Sequence, residues 1–296
     1  MYIIGHQKER ERLKRIAESR QPAQSYLFFG PQGIGKRLCA LEFGCVLVSE
    51  PDFVSNETKP YPFDVLVVRP REEIKRGVTK TKSVSADEIR DALSFLGQYP
   101  VSGRYRVVII EDAHKLSQTA QNVLLKTLEE PNTSAVIILV THEIGSLVST
   151  ILSRVERTRF DFVPEEEIRQ GISEKPHDIA PFFFSLGRPG MILRALNDPE
   201  EFASERGKLE KLFRLSTLSL AERLGLAEEF SSHTPLTIRL LEQWLPGLHT
   251  QALRATEQKN STRFFSLLEQ VERTLRLLKT TQSNVRLLLE TLFLSI

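Results

Sequence analysis

Five short apolar or β-branched runs lie in the first half of the chain. They are SYLFFG (25–30), FDVLVVRP (63–70), YRVVIIED (105–112), AVIILVTH (135–142) and ERTRFDF (156–162). Each run has the length of a strand and is too short for a core helix. Helical patterns lie between them, such as SADEIRDALSFLGQ, which has capping-box spacing at Ser85 and Glu88, and SQTAQNVLLKTLEE, which Pro131 ends. Strands that alternate with helices predict an α/β domain whose parallel sheet is covered on both faces.

Strand-like runs stop after Pro164, and the remaining sequence has helical patterns only. Near the end of the chain, apolar residues follow a four-three spacing at Phe264, Leu268, Val271, Leu275, Leu278, Val285, Leu289, Leu292 and Ile296, interrupted by polar Gln282. Such a stripe packs against a partner helix. The partner is either in the same chain or in another subunit, and the stripe alone does not separate the two.

Composition adds few constraints to this picture. The chain has 296 residues and a formal net charge of +2, so it has room for two or three domains and no global attraction to nucleic acid or membranes. Its two cysteines, Cys39 and Cys45, are too few for a disulfide framework and form no CxxC pair. The N-terminus lacks the apolar core of a signal peptide, and no apolar run reaches the length of a membrane span. We therefore expect a soluble cytoplasmic protein with no membrane partner.

The stretch GPQGIGKRL, which begins at Gly30, fits a nucleotide-binding loop. Gly30, Gly33, Gly35 and Lys36 follow the GxxxxGK pattern directly after a strand and before a helix, where backbone N–H groups wrap phosphate oxygens. The next position normally carries a serine or threonine whose hydroxyl holds magnesium. Here it is Arg37, which cannot coordinate a cation. The sequence therefore predicts a P-loop fold and separates nucleotide binding from hydrolysis.

A second acidic motif, Glu111 and Asp112, ends a later strand, where an open parallel sheet presents its ligands. The usual order is an aspartate for the metal and then a glutamate for the attacking water. The order is reversed here, and the shorter Asp112 would not reach that water. Two solvated carboxylates without a catalytic role are the favoured alternative. Together with Arg37, this reversal predicts a chain without ATPase activity of its own.

Three segments carry a family resemblance: GHQKERERLKRIAESRQPAQSYLFFGPQGIGK, the region from SADEIRDALSFLG to AQNVLLKTLEEPNTSAVIILVTHE, and LVSTILSRVERTRF. They resemble the AAA+ subunits of bacterial clamp loaders, most closely the delta-prime branch, whose nucleotide site is generally degenerate. The AQNVLLKTLEEPN block together with the serine-arginine motif is specific to that family. The resemblance covers about half of the chain and implies an AAA+ P-loop domain at 1–163, a helical lid at 164–205 and an all-α collar or oligomerisation domain at 206–296.

Ser153 and Arg154 match the serine-arginine-cysteine motif of the family, with Val155 in place of the cysteine. The resemblance implies that Arg154 reaches ATP bound by a neighbouring subunit and neutralises charge on the transferred phosphate, an effect of about a thousandfold or more in rate. The alternative is a salt-bridged surface arginine. Thr141 matches the sensor of the terminal phosphate, although a threonine at a strand end is often only a β-former.

Other positions depart from the family. Gly190 stands where relatives that hydrolyse ATP carry a second sensing arginine, with Arg188 and Arg194 nearby. Many relatives carry a four-cysteine zinc module, but this chain has one cysteine in the corresponding segment, so we expect no zinc and assign no metal ligand. The basic stretch RPREEIKRGVTKTK (69–82) predicts a solvated loop whose lysines can contact phosphate. No cofactor is required, and weak ATP or ADP binding is left open.

These features favour a non-hydrolysing, stator-like subunit of the DNA polymerase III holoenzyme. It would join gamma, tau and delta types of clamp-loader subunit and help to load the sliding clamp onto primed DNA, independently of sequence. The alternative is an ATP-hydrolysing motor subunit of the gamma or tau type, or another AAA+ ATPase, with Lys36 on ATP and Glu111 on magnesium. Arg37, the reversed acidic pair and an end at Ile296 without an extended tail favour the first hypothesis.

Overall fold

The computed structural model describes residues 3–19, 21–48, 61–75, 78–101, 103–130, 132–172, 187–197, 199–256, 261–280 and 283–296. The chain separates into two units, Met1–Val163 and Pro164–Ile296. The boundary coincides with the end of the strand-like pattern in the sequence. The division of the second unit into a lid and a collar at residue 205 stays a prediction.

A five-stranded parallel sheet forms the centre of the first unit. The strands of this unit are β1 (Ser25–Phe29), β2 (Val65–Val68), β3 (Glu72–Lys75), β4 (Val78–Thr81), β5 (Arg106–Ile110), β6 (Ala135–Thr141) and β7 (Glu156–Arg159). The sheet has the order β2-β5-β6-β1-β7, and its paired strands are parallel, so their carboxyl ends share one edge. Every residue of β5 and β6 is buried, which explains why they read as continuous apolar runs. The five predicted strands and the parallel sheet are confirmed.

Helices cover both faces of this sheet. The helices of the first unit are α1 (Gln7–Glu18), α2 (Lys36–Leu47), α3 (Ala86–Leu96), α4 (Gln118–Glu129) and α5 (Ser149–Leu152). Because side chains alternate along a strand, Val107 and Ile109 pack in one core with α1 and α2. Val108 and Ile110 pack in the opposite core with α3 and α4. The predicted capping box of Ser85 and Glu88 begins α3.

Strands β3 and β4 form an antiparallel pair, from Glu72 opposite Thr81 to Lys75 opposite Val78. The prediction of a solvated loop over 69–82 is therefore wrong for these eight residues. The β-branched residues of these strands, with a glycine between the two arms in the sequence, are a hairpin pattern. That lysines of this segment contact phosphate stays a prediction. Arg76 lies outside the described residues.

A buried ion pair lies at the amino edge of the sheet. Arg106 Nε is 3.5 Å from Asp64 Oδ1 and donates to Tyr99 O at 2.9 Å. The guanidinium also lies 4.5 Å from the ring centroid of Phe95. Asp64 in turn accepts the Val101 N–H at 2.9 Å. The pair therefore links the start of β5 to the segments that precede β2 and β5.

The described part of the second unit contains helices and no strand. They are α6 (Glu165–Gly171), α7 (Pro189–Asn197), α8 (Pro199–Phe213), α9 (Leu220–Ser231), α10 (Thr234–Thr256), α11 (Ser261–Thr280) and α12 (Val285–Leu294). Helix α10 packs against α11, and α9 packs against α12. The stripe residues Val271, Leu275, Leu278, Leu289 and Leu292 are buried in this unit, so at these positions the stripe is an intramolecular seam. No helix in the described ranges is long and apolar enough to cross a membrane.

Candidate nucleotide site and serine-arginine motif

The loop between β1 and α2 has the backbone conformation that its glycines predict. Gly30, Gly33 and Gly35 have φ of 142°, 79° and 103°, a region that L side chains rarely adopt. A Cβ atom on Gly30 would lie 2.0 Å from the carbonyl oxygen of Phe160. Glycine is therefore required at position 30 by the neighbouring backbone. The loop leads into the N-terminus of α2, where helices bind anions.

Lys36 closes this loop on itself. It is buried, and its Nζ donates hydrogen bonds to Gly30 O at 2.8 Å and to Pro31 O. In a P-loop the lysine reaches the outer phosphates of a nucleotide. For Lys36 to do so, its ammonium group must exchange these two carbonyls for phosphate oxygens.

Two arginines hold Glu111 at the carboxyl end of β5. Arg37 Nε lies 2.7 Å from Glu111 Oε1, and Arg69 Nε lies 3.1 Å from Oε2. Burial raises the pKa of Glu111, and the two guanidinium charges oppose that rise. The guanidinium of Arg37 thus contacts the acid that would hold magnesium. Position 37 also lacks the serine or threonine hydroxyl that would coordinate this ion. These side chains do not fit a nucleotide-bound magnesium ion.

Asp112 and Thr141 also lie at the carboxyl edge, where the sequence predicts them. Asp112 has a left-handed backbone, with φ of 47°, and its carboxylate is 3.4 Å from Lys115 Nζ. Thr141 is buried, and its Oγ1 accepts the N–H of Glu143 at 3.0 Å. The Thr141 hydroxyl therefore bonds within the segment that follows β6. Its role as a phosphate sensor stays a prediction.

Sequence reasoning missed a pair of histidines at the same edge. The ring centroids of His114 and His142 are 4.1 Å apart, and His142 Nδ1 is 3.9 Å from Asp112 Oδ1. Burial lowers the pKa of His142 to about 4, and the nearby charges of His114 and Lys36 act in the same direction. The available signal was that each histidine closely follows a strand, one after β5 and one after β6, and that parallel strands end at one edge.

The serine-arginine motif lies at the opposite edge. In the register of β1 and β7, Tyr26 pairs with Glu156 and Phe29 pairs with Arg159. Arg154 precedes β7 and therefore lies at the amino edge of the sheet, whereas the P-loop begins at the carboxyl edge, directly after Phe29. Its backbone is fixed there, because Ser25 Oγ donates to Arg154 O at 2.7 Å. The structure thus separates Ser153 and Arg154 from the predicted nucleotide-site residues of the same chain.

The Arg154 side chain is ion-paired at the surface. Its Nη2 lies 2.8 Å from Glu129 Oε1, and its Nη1 donates to Thr150 O at 3.0 Å. Ser153 Oγ lies 3.3 Å from the same Nη1 and donates to Thr150 O. The side chain is 35% exposed. It is therefore a salt-bridged surface arginine in the isolated chain, with an accessible guanidinium.

Arg188, near the position of the second sensing arginine, is buried within the second unit. Its Nη2 donates to Glu242 O at 3.0 Å. Burial lowers the pKa of Arg188 to about 10, partly offset by the charge of Glu242. The contact commits this arginine to the packing of helices. Gly190 lies in the first turn of α7.

Comparisons with solved structures agree on the fold. A DNA polymerase III gamma subunit-related protein from Thermotoga maritima has a TM-score of 0.51 and 24% identity, covering 96% of this chain and 97% of the other. A RuvB variant from the same organism has a TM-score of 0.50 and 16% identity, covering 84% of this chain and 88% of the other. These likenesses show the fold alone, a parallel α/β domain followed by helices.

Sequence comparisons identify the family. DNA polymerase III subunit delta' of Pseudomonas aeruginosa is 32% identical over 137 residues, which are 45% of this chain and 42% of that protein. DNA polymerase III subunit tau of Bacillus subtilis is 26% identical over 227 residues, 77% of this chain and 37% of that protein. The chain thus spans about two fifths of the length of these relatives. Residues 5–164, more than half of the chain, match the family described as DNA polymerase III, delta subunit. The chain therefore belongs to this family of DNA polymerase III clamp-loader subunits.

Proposed function

We propose that the protein is a non-hydrolysing subunit of a DNA polymerase III clamp loader and that its Arg154 acts on ATP bound by a neighbouring subunit. The observation that carries the first part is the contact of Arg37 and Arg69 with Glu111. It occupies the acid that would hold magnesium between the phosphates. Without that ion, the charge of the transferred phosphate is not neutralised, and hydrolysis in this site is not supported.

The position of Arg154 supports action on a neighbour. The guanidinium lies at the amino edge of the sheet, away from the P-loop of its own chain, and is accessible. An arginine aimed at the phosphates of another subunit stabilises the charge that develops in the transition state. Ser153 contacts both Arg154 and Thr150 and would position the side chain. Contact with the partner requires Arg154 to exchange Glu129 for phosphate.

The proposed partners follow from the relatives. Proteins named gamma, tau and delta' subunits of DNA polymerase III are similar to this chain, so subunits of the gamma, tau and delta types are the proposed neighbours. The assembly would place a sliding clamp on primed DNA without reading its sequence. Binding of ATP or ADP by this chain is proposed to be weak and not required. The glycine loop and Lys36 support phosphate contact, whereas the lost magnesium position weakens it.

A second candidate is a motor subunit that hydrolyses ATP. The retained loop geometry and Lys36 favour it. The two functions differ in the isolated chain. The motor hypothesis requires magnesium-dependent ATP turnover that Lys36→Ala abolishes, whereas the proposed function requires none above background, even with primed DNA.

The decisive experiment uses a loader reconstituted with partner subunits and compares Arg154→Ala with Arg157→Ala. Arg157 is the matched control, because it is an exposed arginine of the same segment that donates to Leu152 O. Native mass spectrometry measures assembly, and a coupled assay measures clamp-dependent ATP turnover. We expect both variants to assemble. Turnover at the site that Arg154 faces should fall by about a thousandfold in Arg154→Ala only.

Two results would contradict this function. If Arg154→Ala loaders hydrolyse ATP and load clamps at the wild-type rate, Arg154 has a structural role. If the chain does not co-assemble with gamma, tau or delta subunits from the same source, it is not a subunit of the clamp loader, although it belongs to the family.

A further inference from the structure

The proposed function does not use the cluster of Asp112, His114 and His142. One ligand atom of each residue lies within 4.8 Å of the others, and all three side chains are half-buried. The cluster joins two neighbouring strands, because Asp112 and His114 follow β5 and His142 follows β6. It is therefore built by the sheet and does not depend on one flexible loop.

The chemistry of this cluster differs from that of a magnesium site. Two imidazoles and one carboxylate form a set that zinc and similar first-row divalent ions prefer, whereas magnesium prefers oxygen ligands. Ligand atoms of a tetrahedral zinc site lie about 3.4 Å apart. The observed separation of up to 4.8 Å must therefore shorten when an ion binds.

The surroundings of the histidines suit ligation. Thr141 Oγ1 is 3.4 Å from His114 Nδ1, and Thr141 itself is buried and bonded to the N–H of Glu143. An outer partner of this kind fixes the ring orientation and tautomer of a metal-bound histidine.

We propose, contrary to the expectation from the sequence that the chain holds no zinc, that Asp112, His114 and His142 bind one divalent transition-metal ion of the zinc type, with water completing its coordination. The ion would link the segments after β5 and β6. Since Phe29 pairs with Thr141, this linkage lies beside the start of the P-loop. The site is independent of the proposed function, because it requires neither nucleotide nor a partner subunit.

The test titrates the chelator-treated full chain with Zn²⁺ by calorimetry and with Co²⁺ by visible absorption. We expect one ion per chain, a tetrahedral cobalt spectrum without a sulfur charge-transfer band, and no binding of Mg²⁺ at comparable concentration. His114→Ala and His142→Ala should each weaken Zn²⁺ binding by more than about a hundredfold. Thr141→Val should weaken it by about tenfold to a hundredfold, as loss of an outer partner does.

His233→Ala is the matched control, because His233 is an exposed histidine of the second unit. This variant should bind Zn²⁺ as the wild type does. If an alanine variant of the cluster does not fold by circular dichroism, the more conservative His142→Gln takes its place. The proposal is overturned if the wild-type chain binds no Zn²⁺ or Co²⁺, or if binding is unchanged in the variants of both histidines.

Discussion

Arg37 and Arg69 approach Glu111 from different elements, the first turn of α2 and the segment after β2. Only 12% of the Glu111 side chain is exposed, so these charges attract each other more strongly than a surface pair would. The acid is therefore held by cations that belong to the chain. To bind Glu111, a magnesium ion would have to displace these two arginine side chains.

Arg37→Thr tests this competition. The change supplies the missing hydroxyl and removes one of the two cations from Glu111, so nucleotide affinity should become magnesium-dependent. The affinity of the wild type should be the same with and without magnesium. Fluorescent ADP and ATP analogues, titrated with magnesium or EDTA, measure the difference. Arg69→Thr is the control, because it also removes a cation from Glu111 but leaves the loop without a hydroxyl. A wild-type affinity that already depends on magnesium would refute the prediction.

Cys39 and Cys45 are both buried, and burial raises the pKa of Cys39 to about 12. The reactive form of cysteine is the thiolate, which is scarce at pH 8 under these conditions. We therefore expect neither thiol of the native chain to react with a disulfide reagent at that pH. Both should react after unfolding in guanidinium chloride. Rapid labelling of either cysteine in the native chain would show that the first unit opens readily around α2.

Among the elements, α3 and α9 begin with complete capping boxes, Ser85 with Glu88 and Ser219 with Glu222. In α3, Ser85 Oγ accepts the Glu88 N–H at 3.3 Å, and the Glu88 carboxylate accepts the Ser85 N–H at 2.8 Å. These hydrogen bonds hold the pKa of Glu88 below its usual value. The helix start is therefore fixed by local contacts that the sequence reveals.

Ser85→Ala should lower the free energy of unfolding by about 1 kcal/mol, because it leaves the Glu88 N–H without its cap. Ser94→Ala is the control in the same helix. Ser94 is exposed in the last turn of α3, and alanine has the higher helix propensity, so this change should be neutral or slightly stabilising. Urea denaturation monitored by circular dichroism compares the two. Equal effects of both changes would mean that the cap does not stabilise α3.

Local patterns explain what the sequence predicts about these elements. The buried strands β5 and β6 are continuous apolar runs, and Ser85 and Ser117 cap the helices that the pattern indicates. The β3–β4 hairpin was missed because its many charged residues resemble a solvated loop, although Ile74, Val78, Thr79 and Thr81 are β-branched residues that favour strands.

The contacts of the candidate site that the sequence did not predict depend on the order of the strands in the sheet. Arg69 reaches Glu111 because β2 lies beside β5, and His142 meets His114 because β6 lies beside β5. These neighbours are separated by tens of residues in the sequence. The GxxxxGK motif and the acidic pair were predictable because each is a contiguous segment. Their ion pairs were not, since pairing requires the topology of the whole sheet.

At the scale of the whole molecule, each unit has a core of its own. The first unit buries Phe28, Ile109 and Ile138 against its sheet, and the second buries Trp244 and Phe293 among helices. Separate cores allow separate unfolding. We therefore predict that the stability of one unit can change without unfolding the other.

Phe293→Ala tests this separation. Phe293 is fully buried, and its ring centroid is 6.0 Å from that of Phe230, so truncation should cost about 3–5 kcal/mol in the second unit. Hydrogen exchange should accelerate in α9 and α12, whereas the amides of β5 and β6 should keep their protection. Phe265→Ala, at a side chain that is 46% exposed, is the control and should change little. Equal loss of protection in the sheet would mean that the two units unfold as one.

Gly30 has a consequence for how such proteins diverge. Its Cβ position is occupied by the Phe160 carbonyl, and the N–H of Phe160 donates to Phe29 O at 2.8 Å. Even in a protein that no longer hydrolyses ATP, substitution of this glycine would therefore push β1 away from the end of β7. Selection for folding alone is sufficient to preserve it. The first glycine of a P-loop motif can thus be retained after ATP hydrolysis has been lost. Its presence in a sequence then reflects the packing of two strands and is not evidence of ATPase activity.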